Sequence, residues 1–512
     1  MAMGPRAQRT REMLATAGLA AVLASACSSA PTARGLAQDA VIAMGGVEQL
    51  RGVQTLVMSG GSGTRNRLGQ TVRVSDPDGT AQLSNVIEAI DLANGRAALD
   101  YQIENAGFMQ HRQEVLTKKD GTLVGLEHVA GRPLAVMSPS GLFSWGSQNS
   151  PEFLLRRNVI VVALAAATSA PEQPAQDKPF NGRTLRAATA TLPSGETATV
   201  FFEPESKLLA GYEVLDTESM LGDVTAQYIL SDYKPVAGLT LPHKITIRKG
   251  GQPYSEVQFS AASVNDPAAQ DILAIPASAN ADVDTAIAEG EYSPIALTKV
   301  ADGVYFARAY SHNSMVVEFP TFLAVVEAAY TDAQSHTLAR ALDLQFPGKP
   351  IRYAAVTHHH YDHTGGVRTL ASYGATILVE RGHEPEMRMV LETPHTNPAD
   401  PLETKRKAGQ AVGSIEVFEG KKVVSEGSQS LELYAITGNP HVDPKVIAYV
   451  PTGRVLFQSD IFFPGTGAPA SPDAVHLLTS VRDLKLRVAT NVGGHGGVGP
   501  FAELEKAVAG RK

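Results

Sequence analysis

Apolar and polar residues alternate with a period of two through 197–202, 208–214, 224–230, 239–248 and 256–264, which predicts five successive strands. The breaks hold Pro204-Glu205, Gly222-Asp223, 235–238 and Gly250-Gly251, so the strands read as an antiparallel meander. Upstream, 36–50 has helical spacing, interrupted at Gly45 and Gly46. The most apolar run, 159–167, falls far short of the ~20 residues of a membrane span and reads as a buried element. Two stretches look unstructured. One is 170–178, rich in Ala, Pro and Gln, which reads as an exposed loop. The other is 265–290, rich in Ala and Asp, which reads as a linker.

From about residue 291 the pattern changes. Strands are predicted at 304–308, 315–319 and 322–328, a helix at 335–344, a short buried strand at 351–356 and a helix at 367–373. Strands and helices then alternate to the end, which fits an α/β sandwich. The chain therefore divides into a mainly antiparallel β domain, 27–290, and an α/β domain, 291–512, behind an amino-terminal segment, 1–26.

That segment has a basic head (Arg6, Arg9, Arg11) and an apolar, small-residue stretch at 13–26 ending Ala24-Ser25-Ala26. It reads as an export signal. The only cysteine, Cys27, follows it, which resembles a bacterial lipoprotein signal and implies an exported, periplasmic or membrane-anchored protein held through lipidated Cys27. A single cysteine also excludes disulfide scaffolds and cysteine-based zinc knuckles. The formal charge is −8, and losing 1–26 takes away three Arg and Glu12 and leaves about −10. Phosphate binding needs a basic surface, so nucleic acid is not the expected partner. In the first half no catalytic constellation is evident. The phrase 231–245, with Asp232-Tyr233-Lys234-Pro235 and Leu241-Pro242-His243, resembles the curved half-barrel sheets of periplasmic lipoprotein carriers.

The chemistry concentrates in Thr357-His358-His359-His360-Tyr361-Asp362-His363-Thr364-Gly365-Gly366, directly after a predicted strand. Neutral imidazoles and a carboxylate are ligands for zinc or a similar ion. His358 and His360 could bind one ion, and Asp362 and His363 a second. Burying so many imidazoles beside an aspartate without a metal would leave polar groups to satisfy.

This motif identifies 297–512 as resembling the metallo-β-lactamase superfamily, whose members are four-layered αβ/βα sandwiches with one or two metals at the sheet edge. The resemblance implies three more ligands downstream in chain order, and His441, Asp460 and His495 occupy those places. It assigns His358, His360 and His441 to one ion, Asp362, His363 and His495 to the other, and Asp460 to both. Two Zn2+ are the implied cofactors, with manganese or iron as alternatives. Asp362 would also orient the nucleophile, Tyr361 could donate to the oxyanion, and His312 is a candidate for substrate binding. His359, His383, His395 and His476 are expected to be bystanders. Because every implied ligand lies beyond residue 290, the second domain is expected to hold metal by itself.

True dizinc β-lactamases carry a cysteine or serine where Asp460 stands, and many place a basic residue soon after it. Here Ile461-Phe462-Phe463-Pro464 follows. That apolar exit implies a small, lipophilic substrate. The expected activity is hydrolysis of an ester, lactone or amide. Two alternatives are a mono-iron oxidoreductase of the persulfide dioxygenase type, and a lipid- or lipoprotein-binding protein with a vestigial metal site.

Overall fold

The alternation that predicts the meander extends through the whole first half. In a computed structural model, residues 31–105, 108–131, 134–137, 151–289, 294–310, 312–467 and 469–511 are described. The export signal, Cys27 and the boundary near 290 fall outside them. The strands from Thr55–Arg67 to Ala261–Val264 join one 14-stranded antiparallel sheet, edged by Ala135–Met137 and Gln176–Phe180. Its period of two shows directly in the packing. Leu56 and Met58 enter the core shared with helices Ala33–Ala43 and Val159–Ser169, while Val57 between them packs on Ala269 and Leu273 behind the sheet.

Four expectations change in detail. The helix at 36–50 is two, Ala33–Ala43 and Val47–Arg51. The break is steric: Gly45 has φ +124°, and a Cβ there would lie 2.8 Å from the Gly238 carbonyl oxygen. The strand at 256–264 is split into Gln252–Gln258 and Ala261–Val264, which follow one another along Thr55–Arg67 in the same antiparallel register, interrupted at 259–260. Within the presumed loop at 170–178, Gln176–Phe180 pairs with Arg183–Thr191 as the sheet edge. The supposed linker is packed structure: Ala269, Leu273, Val283 and Ala286 are buried, and Asn280–Glu289 is a helix. Its small residues suit close packing on a sheet, which low hydrophobicity alone did not reveal. No described helix is long and apolar enough to cross a membrane.

The second half has two sheets face to face. The seven-stranded sheet runs from Ala296–Ala301 to Ile415–Phe418, and the six-stranded sheet from Lys421–Glu426 to Val498–Pro500. In Leu323–Val326, Ala324 and Val326 point between the sheets, and Leu323 and Val325 point to the outer helices. A strand buried on both faces reads as a continuous apolar run, as this one does. Asp332–Gln345 and Glu384–Glu392 cover one outer face, and Pro472–Asp483 and Ala502–Ala509 the other. This is the expected αβ/βα order of layers.

Candidate metal centre

Strands of both sheets end at one edge, and their following loops carry the site. Leu323–Val326 and Ile351–Ala355 are parallel neighbours. Glu327 follows the first, and Thr357 to His360 follow the second. The short helix Tyr361–Thr364 then holds Asp362 and His363. Gly365 and Gly366 keep negative φ (−57° and −105°), so close approach and not a left-handed turn requires glycine. A Cβ on Gly366 would sit 1.9 Å from Ser335 Oγ. From the second sheet, His441 follows Gln429–Ile436, Asp460 follows Val455–Phe457, and His495 follows Thr490–Val492. Glu327 (φ +71°) and Ser459 (φ +69°) adopt left-handed conformations rare for their side chains, beside these ligand candidates.

Two groups of side chains form. His358, His360, His441 and Asp460 bring one ligand atom each within 4.8 Å of one another, and so do His312, Asp362, His363 and His495. They meet at one carboxylate oxygen. Asp460 Oδ2 lies 2.7 Å from His441 Nε2, 3.4 Å from His363 Nε2 and 3.7 Å from His358 Nε2. All three of those buried ring nitrogens lack a hydrogen-bond partner. Buried polar atoms are normally paired, so three imidazole nitrogens converging on one carboxylate oxygen fit a pair of divalent ions. The residues implied by the resemblance are all brought together.

The electrostatics suit that donor set. Burial, then nearby Lys445, holds His358 well below its ordinary pKa. Burial and His441 bring His360 down to about 3, so both rings are neutral. Burial would push Asp460 up, but His441, Lys445, His358 and His363 outweigh it and keep it ionised. Asp362 is likewise held low, against burial, by His363 and His312. His363 is the exception. Burial lowers it, yet Glu327, Asp362 and Asp460 together hold it well above its ordinary value. Three carboxylates around one ring are an acidic excess that a cation would balance.

Around the two groups lie residues that sequence reasoning missed. Glu327 Oε2 accepts from His363 Nδ1 at 3.0 Å, which turns Nε2 to the centre, and Thr357 Oγ1 donates to Glu327 Oε1 at 2.5 Å. Lys445, fully buried, donates to Asp460 Oδ1 at 2.7 Å, with its Nζ 2.8 Å from His358 Nδ1. Both have a faint signal in the sequence, as single charges at the end of Leu323–Val326 and at the head of Lys445–Val450, two otherwise apolar strands. The first half also reaches in, through Gln70 on Asp362 and Thr71 on His360, for which no sequence signal exists at separations of 292 and 289 residues. The ligand candidates themselves all lie in the second half, and the first half adds these two outer contacts.

The remaining candidates separate. His312 does not stand apart as a substrate group. It stacks on Tyr330 (ring centroids 4.6 Å), its Nε2 is 3.2 Å from Asp362 Oδ2, and it belongs to the second group. Tyr361 is buried in the core common to both halves, a packing position, where burial and then Asp362 push its hydroxyl well above its ordinary pKa. His359 points away toward His383 and Thr71. His476 lies against Asn439, whose Oδ1 accepts from the His441 amide. At the mouth, exposed Phe463 meets His495 edge-on at 5.8 Å.

Comparison with known proteins agrees with this geometry. Residues 307–495 match the family model described as the metallo-beta-lactamase superfamily. The match lies entirely within the second half of the chain. Among curated proteins, it is 25% identical over 175 residues to 2,4-dinitroanisole O-demethylase subunit alpha of Nocardioides sp. strain JS1661, covering 34% of this chain and 46% of that protein. It is 25% identical over 194 residues to ribonuclease Z of Methanopyrus kandleri, covering 32% of this chain and 64% of that one. The chain thus spans less than two thirds of either relative. A solved metallo-β-lactamase from Hirschia baltica is 17% identical, covering 42% of this chain and 97% of its own, with a TM-score of 0.32. Another, FIM-1 from Pseudomonas aeruginosa in its mono-zinc form, is 16% identical over 42% and 94%, with a TM-score of 0.31.

Proposed function

We propose that this protein is an exported dinuclear metal hydrolase of that superfamily, cleaving an ester, lactone or amide of an uncharged, lipophilic substrate. The observation that carries the reading is the convergence of three unpaired imidazole nitrogens on Asp460 Oδ2, between two four-residue groups. His358, His360, His441 and Asp460 would hold one ion, and Asp362, His363, His495 and Asp460 the other, with His312 beside the second. When bound, such ions supply a water of lowered pKa and polarise a carbonyl oxygen.

The chain's own residues do the rest. Asp362, ionised and fastened at Oδ1 by Gln70, would offer Oδ2 to orient the nucleophile. Lys445 restrains Asp460, so one carboxylate oxygen stays aimed at the three rings. Of the apolar run after Asp460, Ile461 and Phe462 pack into the helix-covered core, and exposed Phe463 beside His495 offers an apolar surface that suits an uncharged acyl or aryl group. Two groups sharing one oxygen count against a lone facial iron site, the oxidoreductase alternative. In the first half, the apolar cavity between sheet and helices, lined by Met58, Leu154, Tyr212 and Leu230, is only about 40 Å3. That is on the order of a water molecule, too small for an acyl chain, whereas an open groove of about 740 Å3 lined by Leu50, Val53, Ile160 and Leu164 lies elsewhere in the same half.

Metal analysis of the purified protein with a panel of neutral aryl esters, lactones, cephalosporins and nitroanisoles is the test. We expect about two divalent ions per chain. Ester or lactone turnover should be abolished by chelation and restored by zinc. An active preparation with one iron and oxygen uptake would overturn the reading.

A further inference from the structure

We propose that the 68–78 connection of the first-half sheet is a working part of the metal centre. Its Thr71 carbonyl sets the tautomer of His360, and its Gln70 amide positions Asp362. The proposal rests on the reading of the two groups as metal sites.

The connection is longer than its hairpin needs. Thr55–Arg67 and Gly79–Asp91 pair antiparallel up to Arg67 opposite Gly79, a geometry that two residues can close. Instead residues 68–78 intervene, and they do not trail into solvent. Leu68 and Thr71 are 9% and 8% exposed. The segment is tied internally, with the Gly69 amide donating to Asp78 Oδ1 at 2.8 Å and the Arg73 amide to Asp76 Oδ2 at 2.9 Å. It is also clamped to the loop that carries His441. Arg73 pairs with Asp443 at 2.5 Å, and the Asp443 amide donates to the Val72 carbonyl at 2.8 Å.

Held this way, the segment meets two ligand candidates. His360 Nε2 lies 2.9 Å from the Thr71 carbonyl oxygen. A carbonyl only accepts, so Nε2 carries the proton, and in the neutral ring Nδ1 is left as the lone pair for an ion. A backbone carbonyl on the outer ring nitrogen is a recurrent way of orienting a ligating histidine. Gln70 Nε2 donates to Asp362 Oδ1 at 2.8 Å. That fixes the carboxylate plane and leaves Oδ2 facing His312 at 3.2 Å and His363 at 3.5 Å. The ligands thus come from one half of the chain and two of their orienting groups from the other. Gln70 and Thr71 are positioning residues, because they act through Asp362 and His360.

Two variants of the full chain test this. Gln70→Met keeps an unbranched side chain and loses the donor. In the second, residues 68–78 are replaced by Asn-Gly. Zinc affinity is measured by competition with a chromophoric chelator, the visible spectrum is recorded on the cobalt(II)-loaded protein, and the unfolding temperature is followed. We expect Gln70→Met to unfold like the wild type, to bind its weaker ion about 10–100-fold less tightly, and to show an altered cobalt spectrum. The shortened chain should lose affinity for both ions. Wild-type affinity and spectrum in Gln70→Met would overturn the role of Gln70. The same result in a folded shortened chain would overturn that of the whole segment. Should the shortened chain not fold, Gln70→Met alone decides. A wild-type protein that binds no divalent ion would overturn the metal-centre reading and this proposal with it, an outcome distinct from ions bound normally in both variants.

Discussion

The two halves bury charge to opposite ends. In the first, buried Arg157 pairs with Glu196 at 2.6 Å and Asp216 at 3.1 Å, and Lys249 closes on Asp216 at 2.9 Å. Each cation meets an anion, and the charges pair off within the cluster, with Asp216 Oδ2 held by the Lys249 ion pair and no hydrogen bond. In the second, the buried groups are imidazoles, most of them held neutral and His363 alone held high, and ionised carboxylates, and their atoms point at a common centre. Burial of charge is therefore no sign of chemistry. What separates a structural cluster from a candidate catalytic one is whether its polar atoms pair off or converge unpaired.

Breaking the convergent cluster should have the largest effect. Asp460→Ala removes the oxygen on which three rings meet, so we expect the protein to retain at most one ion and turnover to fall by more than about 100-fold, beyond what outer partners typically contribute. Two ions and near-normal kcat would show that Asp460 is not shared. Asp362→Asn should keep at least one ion yet lose turnover on the order of 100-fold, because it keeps the shape and loses the charge.

Breaking the satisfied cluster should move a different observable. Arg157→Met leaves Glu196 and Asp216 buried without their main cation. A loss of about 3–5 kcal/mol is usual for such a change, and Lys249 should hold it near the lower figure. Denaturant unfolding should register it while metal content stays unchanged; a fall in metal content would erase the contrast between the halves. Lys445→Met lies at the seam of the comparison, a buried cation that serves the convergent cluster. Freed from Lys445, the Asp460 carboxylate can rotate, and zinc affinity should drop by about 10–100-fold.

The smallest effect concerns pH. Burial pushes the Glu114 carboxyl up to about 8, with Glu127 adding and Arg112 opposing, and Tyr101 donates to it at 2.9 Å. The unfolded chain releases this proton near the ordinary value of 4.5, while the folded chain keeps it to about 8. The unfolded state binds fewer protons across that window, so this group's contribution makes stability fall as pH rises from 4.5 to 8. Glu114→Gln should flatten that dependence, as urea midpoints near each end would show, and should leave metal content alone. An unchanged slope would mean that Glu114 ionises normally.

Much was decided by local sequence. The period of two in 197–248, the strand at 351–356 and the helix at 335–344 follow from side-chain spacing. The run from His358 to His363 is legible because its ligand candidates are contiguous and leave a strand end together. His441, Asp460 and His495 required the order of a known family, since each stands alone in its loop. Other features belong to the tertiary structure. Small residues at 269–286 form a packed layer only because a sheet lies against them, a fact no hydrophobic pattern encodes. His312 joins the second group because an antiparallel strand returns it to the edge where Asp362 leaves. Gln70 and Thr71 meet Asp362 and His360 across 292 and 289 residues of chain. An amide and a backbone carbonyl are chemically ordinary, and only the docking of one sheet on the other gives them a role.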